Sequence, residues 1–275
     1  FPGRGQVAHM ALDEVGKLTI KDGMAEFRPG QVGKGLVLDG KRYAEAGNIG
    51  DFGFDDAFSF SFWVNPATRD GAILSRMAEE PRSDGYGIHL VDGKIRVHLT
   101  KRWLDDALRL ETTNELKPGW QHVAVTYDGK RLAAGVRIYL DGVEQQTTVL
   151  FDELNQTFAT KEPLRIGTGG GPASRFKGQV DELRVYSRTI EASEARILAV
   201  PLTLKQILVK PTAKRSKAEA AKLRAYFLEG AASKEILEAQ ATLLSTRAER
   251  DRYRASLPTV MVMEEMAKPR ESHVL

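Results

Sequence analysis

Between Leu36 and Tyr186 the chain alternates between short apolar stretches and clusters of Gly, Asp, Asn and Pro. This spacing predicts many antiparallel strands joined by turns. The segment FSFSFWVNP, residues 58–66, places three phenylalanines on one face of a strand and Trp63 on the other. Because both faces of this strand offer packing surface, we expect it to lie at the centre of a sheet.

Further short segments with the same character predict the remaining strands. They are AILSRM, YGIHLV, KIRVHLT, ALRLET, HVAVTYD, VRIYLDG, LRIGT and VDELRVYS. The Asp-Gly pairs of VDGK (91–94) and YDGK (127–130) predict hairpins with type I′ turns, because Asp and Gly tolerate positive φ. About a dozen strands with no segment suited to a crossover helix predict an all-β fold, a two-sheet antiparallel jelly-roll sandwich.

After Arg188 the pattern becomes helical. TIEASEARIL predicts a short helix capped by Thr189. Residues 216–228 and 233–257 are rich in Ala, Leu, Glu, Lys and Arg, each begins at a serine, and Gly230 separates them. These two segments predict an antiparallel helical hairpin. The apolar residues expected to meet in it are Leu223, Tyr226, Phe227, Ile236, Leu243 and Leu244.

The change of pattern predicts three domains or segments. We expect a β-sandwich over residues 1–199, a helical linker or hairpin over 200–257, and the start of a truncated following domain at 258–275, where TVMVMEEM is extended. The chain begins at Phe1 and ends without a closing element, which is typical of an excerpt from a longer protein.

Composition narrows the classes of partner. The 40 Lys and Arg against 37 Asp and Glu give a net charge of only +3, and the basic excess lies after residue 199. The arginines of RAERDRYR alternate with acidic residues, which is typical of a solvated helix face. We therefore expect no nucleic-acid partner. No run of about 18 apolar residues occurs, so we expect no membrane insertion. The absence of cysteine excludes disulfides and thiolate metal sites.

Four segments in order resemble laminin-G-like domains of the concanavalin A-like lectin and glucanase superfamily. They are VAHMALDE, VGKGLVLDGKRY, FSFSFWVNP, and WQHVAVTYDGKRLAAGVRIYLDGVE followed by FKGQVDELRVYSRTIEASEARIL. The resemblance covers residues 6–199 and implies a lectin-like sandwich. Met10 stands where such domains often have Trp, and we expect it to fill the same core space.

The tail LPTVMVMEEMAKPRESHVL resembles the opening of a C-terminal domain of unknown function in large planctomycete secreted proteins. Those proteins often combine a cytochrome-c-like domain with an internal laminin-G-like domain. The resemblance implies that the chain is an internal module of such a parent, with a periplasmic or extracellular location and neighbouring domains as partners.

An enzyme on this fold would be a glycoside hydrolase, which needs two carboxylates across the cleaved bond. The family's Glu-x-Asp-x-x-Glu pattern does not occur in the sequence. The nearest acidic pairs are adjacent residues, whose side chains point to opposite faces of a strand. We therefore expect a domain that is not an enzyme.

The resemblance also implies a structural calcium ion near the LDG turn and the GxxDE strand, with Asp39 and Asp181 as its candidate ligands. The alternative is that Asp39 only shapes the turn before Gly40 and that Asp181 bonds to a neighbouring loop. The five histidines have no zinc-type spacing. His89 and His98 are placed to lie across a hairpin from each other.

A sugar site needs an exposed aromatic ring beside hydrogen-bonding groups, because a pyranose has an apolar face and a hydroxylated rim. Trp63 and Trp120 fall within regular strand patterns and are expected in the core. Trp103 instead lies at a strand end in TKRWLDDA, among charged residues. Side chains expected to extend a surface around it are His98, His122, Tyr86 and Arg76. The alternative is that Trp103 merely covers a loop.

Two functions remain open at this point. The first is a non-catalytic carbohydrate-binding module that recognises a polysaccharide or glycan. The second is a structural or protein-interaction domain that orients neighbouring domains of the parent chain.

Overall fold

Two antiparallel sheets packed face to face form the sandwich in a computed structural model that describes residues 2–78, 82–169 and 175–257. We call them sheet A and sheet B, and each has eight strands within the described ranges. The strands confirm the two-sheet antiparallel fold predicted from alternation.

Sheet A has β6 near its centre, as the two packing faces of FSFSFWVNP predict. Its strands in spatial order are β13 (Val143–Glu144), β12 (Val136–Leu140), β11 (Gln121–Tyr127), β6 (Phe58–Pro66), β16 (Lys177–Tyr186), β4 (Lys34–Asp39) and β3 (Phe27–Pro29). A further strand, β1 (Gln6–Met10), pairs with the C-terminal half of β16 beyond a bulge at Asp181. Met10 packs against the core there, as expected.

Sheet B carries the surface on which the candidate site lies. Its strands in spatial order are β14 (Thr147–Glu153), β10 (Asp106–Thr112), β9 (Lys94–Arg102), β8 (Gly85–Val91), β7 (Gly71–Met77), β15 (Arg165–Ile166), β5 (Tyr43–Glu45) and β2 (Thr19–Lys21). Alternate residues of β8, β9 and β10 enter the core between the sheets, including Ile88, Val97 and Leu108. Their neighbours in the chain therefore face outward.

The outer face of sheet A is covered by the chain that follows it. Ala124, Tyr139 and Tyr186 of the sheet form a second apolar cluster with residues of the next helix, α1 (Ala192–Leu198). Ser59 on the same face donates a 2.7 Å hydrogen bond to the carbonyl of Arg188. This cover explains why even the serines of β6 are buried.

Three more α-helices follow within the described residues. The chain divides into two compact units, with the boundary in the sequence between Tyr226 and Phe227. α2 (Leu204–Val209) and α3 (Lys217–Tyr226) belong to the unit that contains the sandwich, and α4 (Lys234–Ser256) follows a π-helical turn at Phe227–Ala231 in the second unit. C-terminal helices are therefore confirmed. Their pairing as a hairpin stays a prediction, and TVMVMEEM lies outside the described residues.

Three local predictions were wrong. Glu191, not Thr189, caps α1, in a reciprocal capping box with Glu194. The YDGK segment does not close a two-residue hairpin, because an eight-residue connection that includes a 3-10 turn separates β11 from β12. Trp120 is only partly buried, with its ring against Gly35. The VDGK hairpin is confirmed, since Asp92 and Gly93 both have positive φ.

Candidate functional site

Trp103 lies at the tip of the hairpin between β9 and β10, and its side chain turns back over the outer face of sheet B. Its ring centroid is 5.2 Å from that of His98 and 4.5 Å from the guanidinium carbon of Arg109. His98 and Arg109 are direct partners in the strand register. The indole thus lies across two paired side chains that cover one of its faces, while the residue remains 43% exposed.

The contacts continue in both directions across the sheet. The ring of His89 stacks on His98 with centroids 4.5 Å apart, as its predicted place across the hairpin requires. On the other side, Phe151 of β14 lies 5.0 Å from the guanidinium of Arg109, its register partner. We call the residues His89, His98, Trp103, Arg109 and Phe151 the Trp103 surface.

Several polar atoms of this surface are buried without a hydrogen-bond partner in the structure. They are Nε2 of His89, both ring nitrogens of His98, Oγ1 of the neighbouring Thr100, and Nε of Arg109. Burial lowers the pKa of His89 to about 4 and that of His98 well below its usual range. Both imidazoles are therefore neutral at pH 7, and each keeps one N–H donor.

Charged side chains at the hairpin tip pair with one another. Arg102 donates to Asp105 at 2.8 Å. On the same two strands, further from the tip, Glu111 accepts from Arg96 at 2.6 Å and from Lys94 at 3.0 Å. The pair of Arg102 and Asp105 places a charged donor and a charged acceptor next to Trp103 in the sequence.

A polar groove of about 650 Å³ lies at the nearby end of the sandwich. The buried guanidinium of Arg76 forms its floor, donating to Asn48 at 2.7 Å and to Asp51 and the carbonyl of Thr160 at 3.0 Å. Lys101 of the β9 end also lines it. The other lining residues are Arg82, Asp84, Ala159, Lys161 and Glu162. Arg76 therefore organises loops around a groove and is not an outward-facing side chain.

Tyr86 does not extend an outer surface, so its predicted orientation was wrong. It is 3% exposed and packs in the core against Phe52, Phe58 and Phe60. Its hydroxyl donates a 2.6 Å bond to the carbonyl of Gly50. Alternation within β8 accounts for this inward direction, because Tyr86 lies on the same face of the strand as Ile88 and Leu90, which are both in the core.

His122 lies on the other sheet, so the structure does not join it to Trp103. It is buried on the outer face of sheet A, edge-on to Trp63 at 5.2 Å, with Nε2 2.9 Å from the hydroxyl of Ser61. Burial, with Arg184 and Lys222 nearby, lowers its pKa to about 3. His122 does point to the outer face of its sheet, but α1 and the following segment cover that face. The prediction that His122 extends the surface around Trp103 was therefore wrong.

Asp39 forms a turn, as the alternative interpretation predicts. Its carboxylate accepts from the backbone N–H groups of Lys41 and Arg42 at 2.9 and 2.8 Å. The Arg42 N–H is the main reason that the pKa of Asp39 falls to about 2.

Asp181 lies elsewhere on the same strand pair. Asp39 is the register partner of Lys177, and Asp181 is four residues further along β16, which is about 13 Å at the usual rise of a strand. The two carboxylates cannot share one ion. Burial raises the pKa of Asp181 to about 7; Oδ2 accepts from the Val32 N–H, and Oδ1 has no partner. Calcium at Asp181 alone stays a prediction, and no group of three metal-binding side chains occurs among the described residues.

Sequence reasoning missed Arg109 and Phe151. Strand register is the feature that identifies them. A β9–β10 hairpin with its tip near Trp103 pairs His98 with Arg109. The next strand of the sheet, β14, pairs Arg109 with Phe151. The second pairing joins strands separated by 34 residues that include β11 to β13, so spacing along the chain cannot supply it.

Comparison with solved structures finds domains of similar fold. The binding domain of Paraclostridial Mosquitocidal Protein 1 is 16% identical, with a TM-score of 0.50 over 66% of this chain and 46% of that one. That of botulinum neurotoxin serotype C1 is 14% identical, with a TM-score of 0.50 over 68% and 47%. The chain spans about half the length of these domains.

A further similar structure is domain 4 of an extracellular GH43 arabinanase from Geobacillus stearothermophilus, solved with arabinotriose. It is 20% identical, with a TM-score of 0.48 over 70% of this chain and 98% of that one. No curated protein matches the sequence significantly. None of the described helices is long and apolar enough to cross a membrane.

The sequence also matches the model of a protein family. The match covers residues 38–196, more than half of the chain and most of both sheets. The chain therefore belongs to the Laminin_G_3 family of the concanavalin A-like lectin/glucanases superfamily.

Proposed function

We propose that this domain is a non-catalytic carbohydrate-binding module whose ligand stacks on Trp103. The observation that carries the proposal is the half-exposed indole supported from below by His98 and Arg109. An apolar sugar face packs well on such a ring. Because the supporting residues already hold the ring in place, little side-chain entropy is lost on binding.

Hydrogen-bonding groups for the sugar hydroxyls lie on the same hairpin. Arg102 and Asp105 flank Trp103 at the hairpin tip, and Lys101 leads into the polar groove above Arg76. A chain of several sugar units has room to contact both. An extended ligand suits a module that brings a larger protein to a polysaccharide, outside the cytoplasm as is usual for laminin-G-like domains.

The acidic pairs have structural roles that support a non-catalytic function. Asp55 pairs with Arg131 at 2.8 Å. Asp106 accepts from the backbone N–H groups of Asn155 and Gln156, and Asp181 accepts from that of Val32. None of these pairs offers two free carboxylates across a groove, which hydrolysis of a glycosidic bond requires.

The test is the substitution Trp103→Ala with Leu104→Ala as its matched control. Leu104 neighbours Trp103 in the same turn and is 84% exposed. In affinity electrophoresis against a panel of soluble polysaccharides, we expect the wild type and Leu104→Ala to be retarded by the same polymers. Trp103→Ala should weaken that binding about 10-fold or more, the loss typical of a stacking aromatic residue.

A wild-type protein that is retarded by none of the polymers would contradict the proposal. So would binding that Trp103→Ala leaves unchanged. Thermal unfolding of all three proteins shows whether the substitutions leave the sandwich folded.

A second function has one observation in its favour. The segment after the sandwich is attached to it through α1, which packs on sheet A and contacts α3. The partly buried ammonium of Lys222 on α3 donates to the carbonyls of Val200 and Leu202, just after α1, at 2.7 and 2.9 Å. Ile207 on α2 is fully buried as well. A rigid exit of this kind suits a domain that orients its neighbours in the parent chain, and it is compatible with a bound glycan.

A further inference from the structure

Arg109 is a cation of the Trp103 surface that forms no hydrogen bond or ion pair with any described residue. Its neighbours differ in this respect. Arg96 is held by Glu111, and Arg102 is held by Asp105. The structure therefore leaves one guanidinium of this sheet face without a counter-charge.

The carboxylates around Arg109 do not neutralise it. Glu111 is shared between Arg96 and Lys94, so two cations already use it. Asp105 is used by Arg102. Glu153 on β14, the register partner of Ala107, forms no ion pair with a described residue. None of the described carboxylates therefore forms an ion pair with Arg109.

The surroundings of Arg109 make an unpaired charge costly. Trp103 and Phe151 contact its guanidinium at 4.5 and 5.0 Å, and Nε is buried. Burial, and secondarily the positive charge of Arg96, lower the pKa of Arg109 below its usual value. A guanidinium partly removed from water gains most from an anionic partner, because charge-assisted hydrogen bonds are the strong ones.

We propose that the ligand of the Trp103 surface is an acidic polysaccharide, with a carboxylate or sulfate group bound by Arg109 at the edge of the indole while a sugar ring of the same polymer stacks on Trp103. The inference rests on the proposed carbohydrate-binding function and narrows its ligand class. The guanidinium lies under the indole, 4.5 Å from its centroid, so the anion has to approach past the edge of the ring. Nε is the buried nitrogen of this guanidinium, which leaves its two terminal nitrogens for the contact. Carboxylate and sulfate groups both offer two oxygens to the forked donors of arginine, which can bind them through two parallel hydrogen bonds.

The experiment compares charged polymers with uncharged counterparts. Polygalacturonate is paired with its methyl ester, and dextran sulfate is paired with dextran, so that carboxylate and sulfate are tested separately. The proteins are the full chain, Arg109→Met, Trp103→Ala and Arg137→Met. Arg137 is an exposed arginine on β12 of sheet A, and its substitution removes the same charge far from the site.

We expect at least one acidic polymer to bind more tightly than its uncharged counterpart. Arg109→Met should weaken that binding about 10-fold or more, the loss expected from a hydrogen bond between charged groups. Trp103→Ala should weaken it too, and Arg137→Met should not. Arg109→Lys keeps the positive charge, so it should retain part of the affinity that Arg109→Met loses.

Three results would overturn the inference, and they separate it from the proposed function. Trp103-dependent binding without preference for the acidic polymer would refute the acidic ligand and leave a carbohydrate-binding module. An equal loss of affinity for the acidic polymer in Arg137→Met would show that binding depends on the overall positive charge of the chain and not on Arg109. If the wild-type protein binds none of the four polymers and none of the neutral polysaccharides of the first panel, both proposals are refuted.

Discussion

At the scale of single residues, the structure buries imidazoles in a neutral state on both sheets. His122 is 1% exposed and keeps one bond to Ser61, while burial lowers its pKa to about 3. An unfolded histidine has a pKa near 6.5. Below pH 6.5 the unfolded chain therefore binds a proton that the folded chain does not, and the free energy of unfolding falls as the pH falls.

We expect His122→Asn to reduce this acid sensitivity. Between pH 6.5 and pH 5 one such imidazole costs about 2 kcal/mol, from about 1.4 kcal/mol per pH unit. Urea unfolding of both proteins at pH 7 and pH 5 measures the difference. The asparagine variant starts less stable at pH 7, but it should lose about 2 kcal/mol less on acidification. Equal losses in the two proteins would show that His122 does not titrate in this way.

At the scale of elements, turn geometry decides how α1 reaches the sandwich. The turn between β12 and β13 has positive φ at Asp141 and Gly142, and α1 packs directly against it. A Cβ added to Gly142 would lie 2.6 Å from the Cα of Arg196 in that helix. Glycine is thus required here both for its backbone conformation and for the close approach of the helix.

Gly142→Ala and Gly47→Ala separate these two requirements. Gly47 also has positive φ, but nothing lies within 4 Å of its added Cβ. We expect Gly47→Ala to cost about 1 kcal/mol from backbone strain alone. Gly142→Ala should cost about 2 kcal/mol more, because the helix must move away. The free energy of unfolding in urea measures both, and equal costs would mean that α1 does not press on this turn.

Prediction of the elements succeeded where the alternation within one strand defines it. It failed where the structure depends on how two strands pair. The alternation of Phe58, Phe60 and Phe62 predicted a central strand, and β6 occupies that position. The Asp-Gly pair at 128 and 129 suggested a hairpin that does not form, while that at 141 and 142 lies in a tight turn. The difference is whether the flanking residues pair in register, which is a property of two strands together.

At the scale of the whole molecule, the two outer faces of the sandwich differ in how far they are covered. That of sheet A is covered by α1 and the segment up to Tyr226. That of sheet B carries the half-exposed Trp103 surface. This asymmetry places the proposed ligand and the chain exit on opposite sheets, so binding on one need not disturb the other.

Amide hydrogen exchange can measure how rigidly the segment after the sandwich, residues 203–226, is held. We expect the amides of α2 and α3 to be protected about as strongly as those of α1, because they open with the sandwich. Ile207→Ala removes a fully buried side chain and should speed exchange across residues 203–226. Leu208→Ala, at an exposed position, is the control. Exchange at the rate of an unstructured chain in the wild type would contradict an orienting role.

The sequence alone determined the strands, their amphipathic faces and the family, because alternation and turn residues are local properties of the chain. It also singled out Trp103, whose charged neighbours differ from those of Trp63. The tertiary structure decided which side chains meet. Strand register brings Arg109 and Phe151 to Trp103, whereas His122 lies on the other sheet, away from Trp103. Those contacts join residues distant in sequence, and only the packing of complete sheets fixes them.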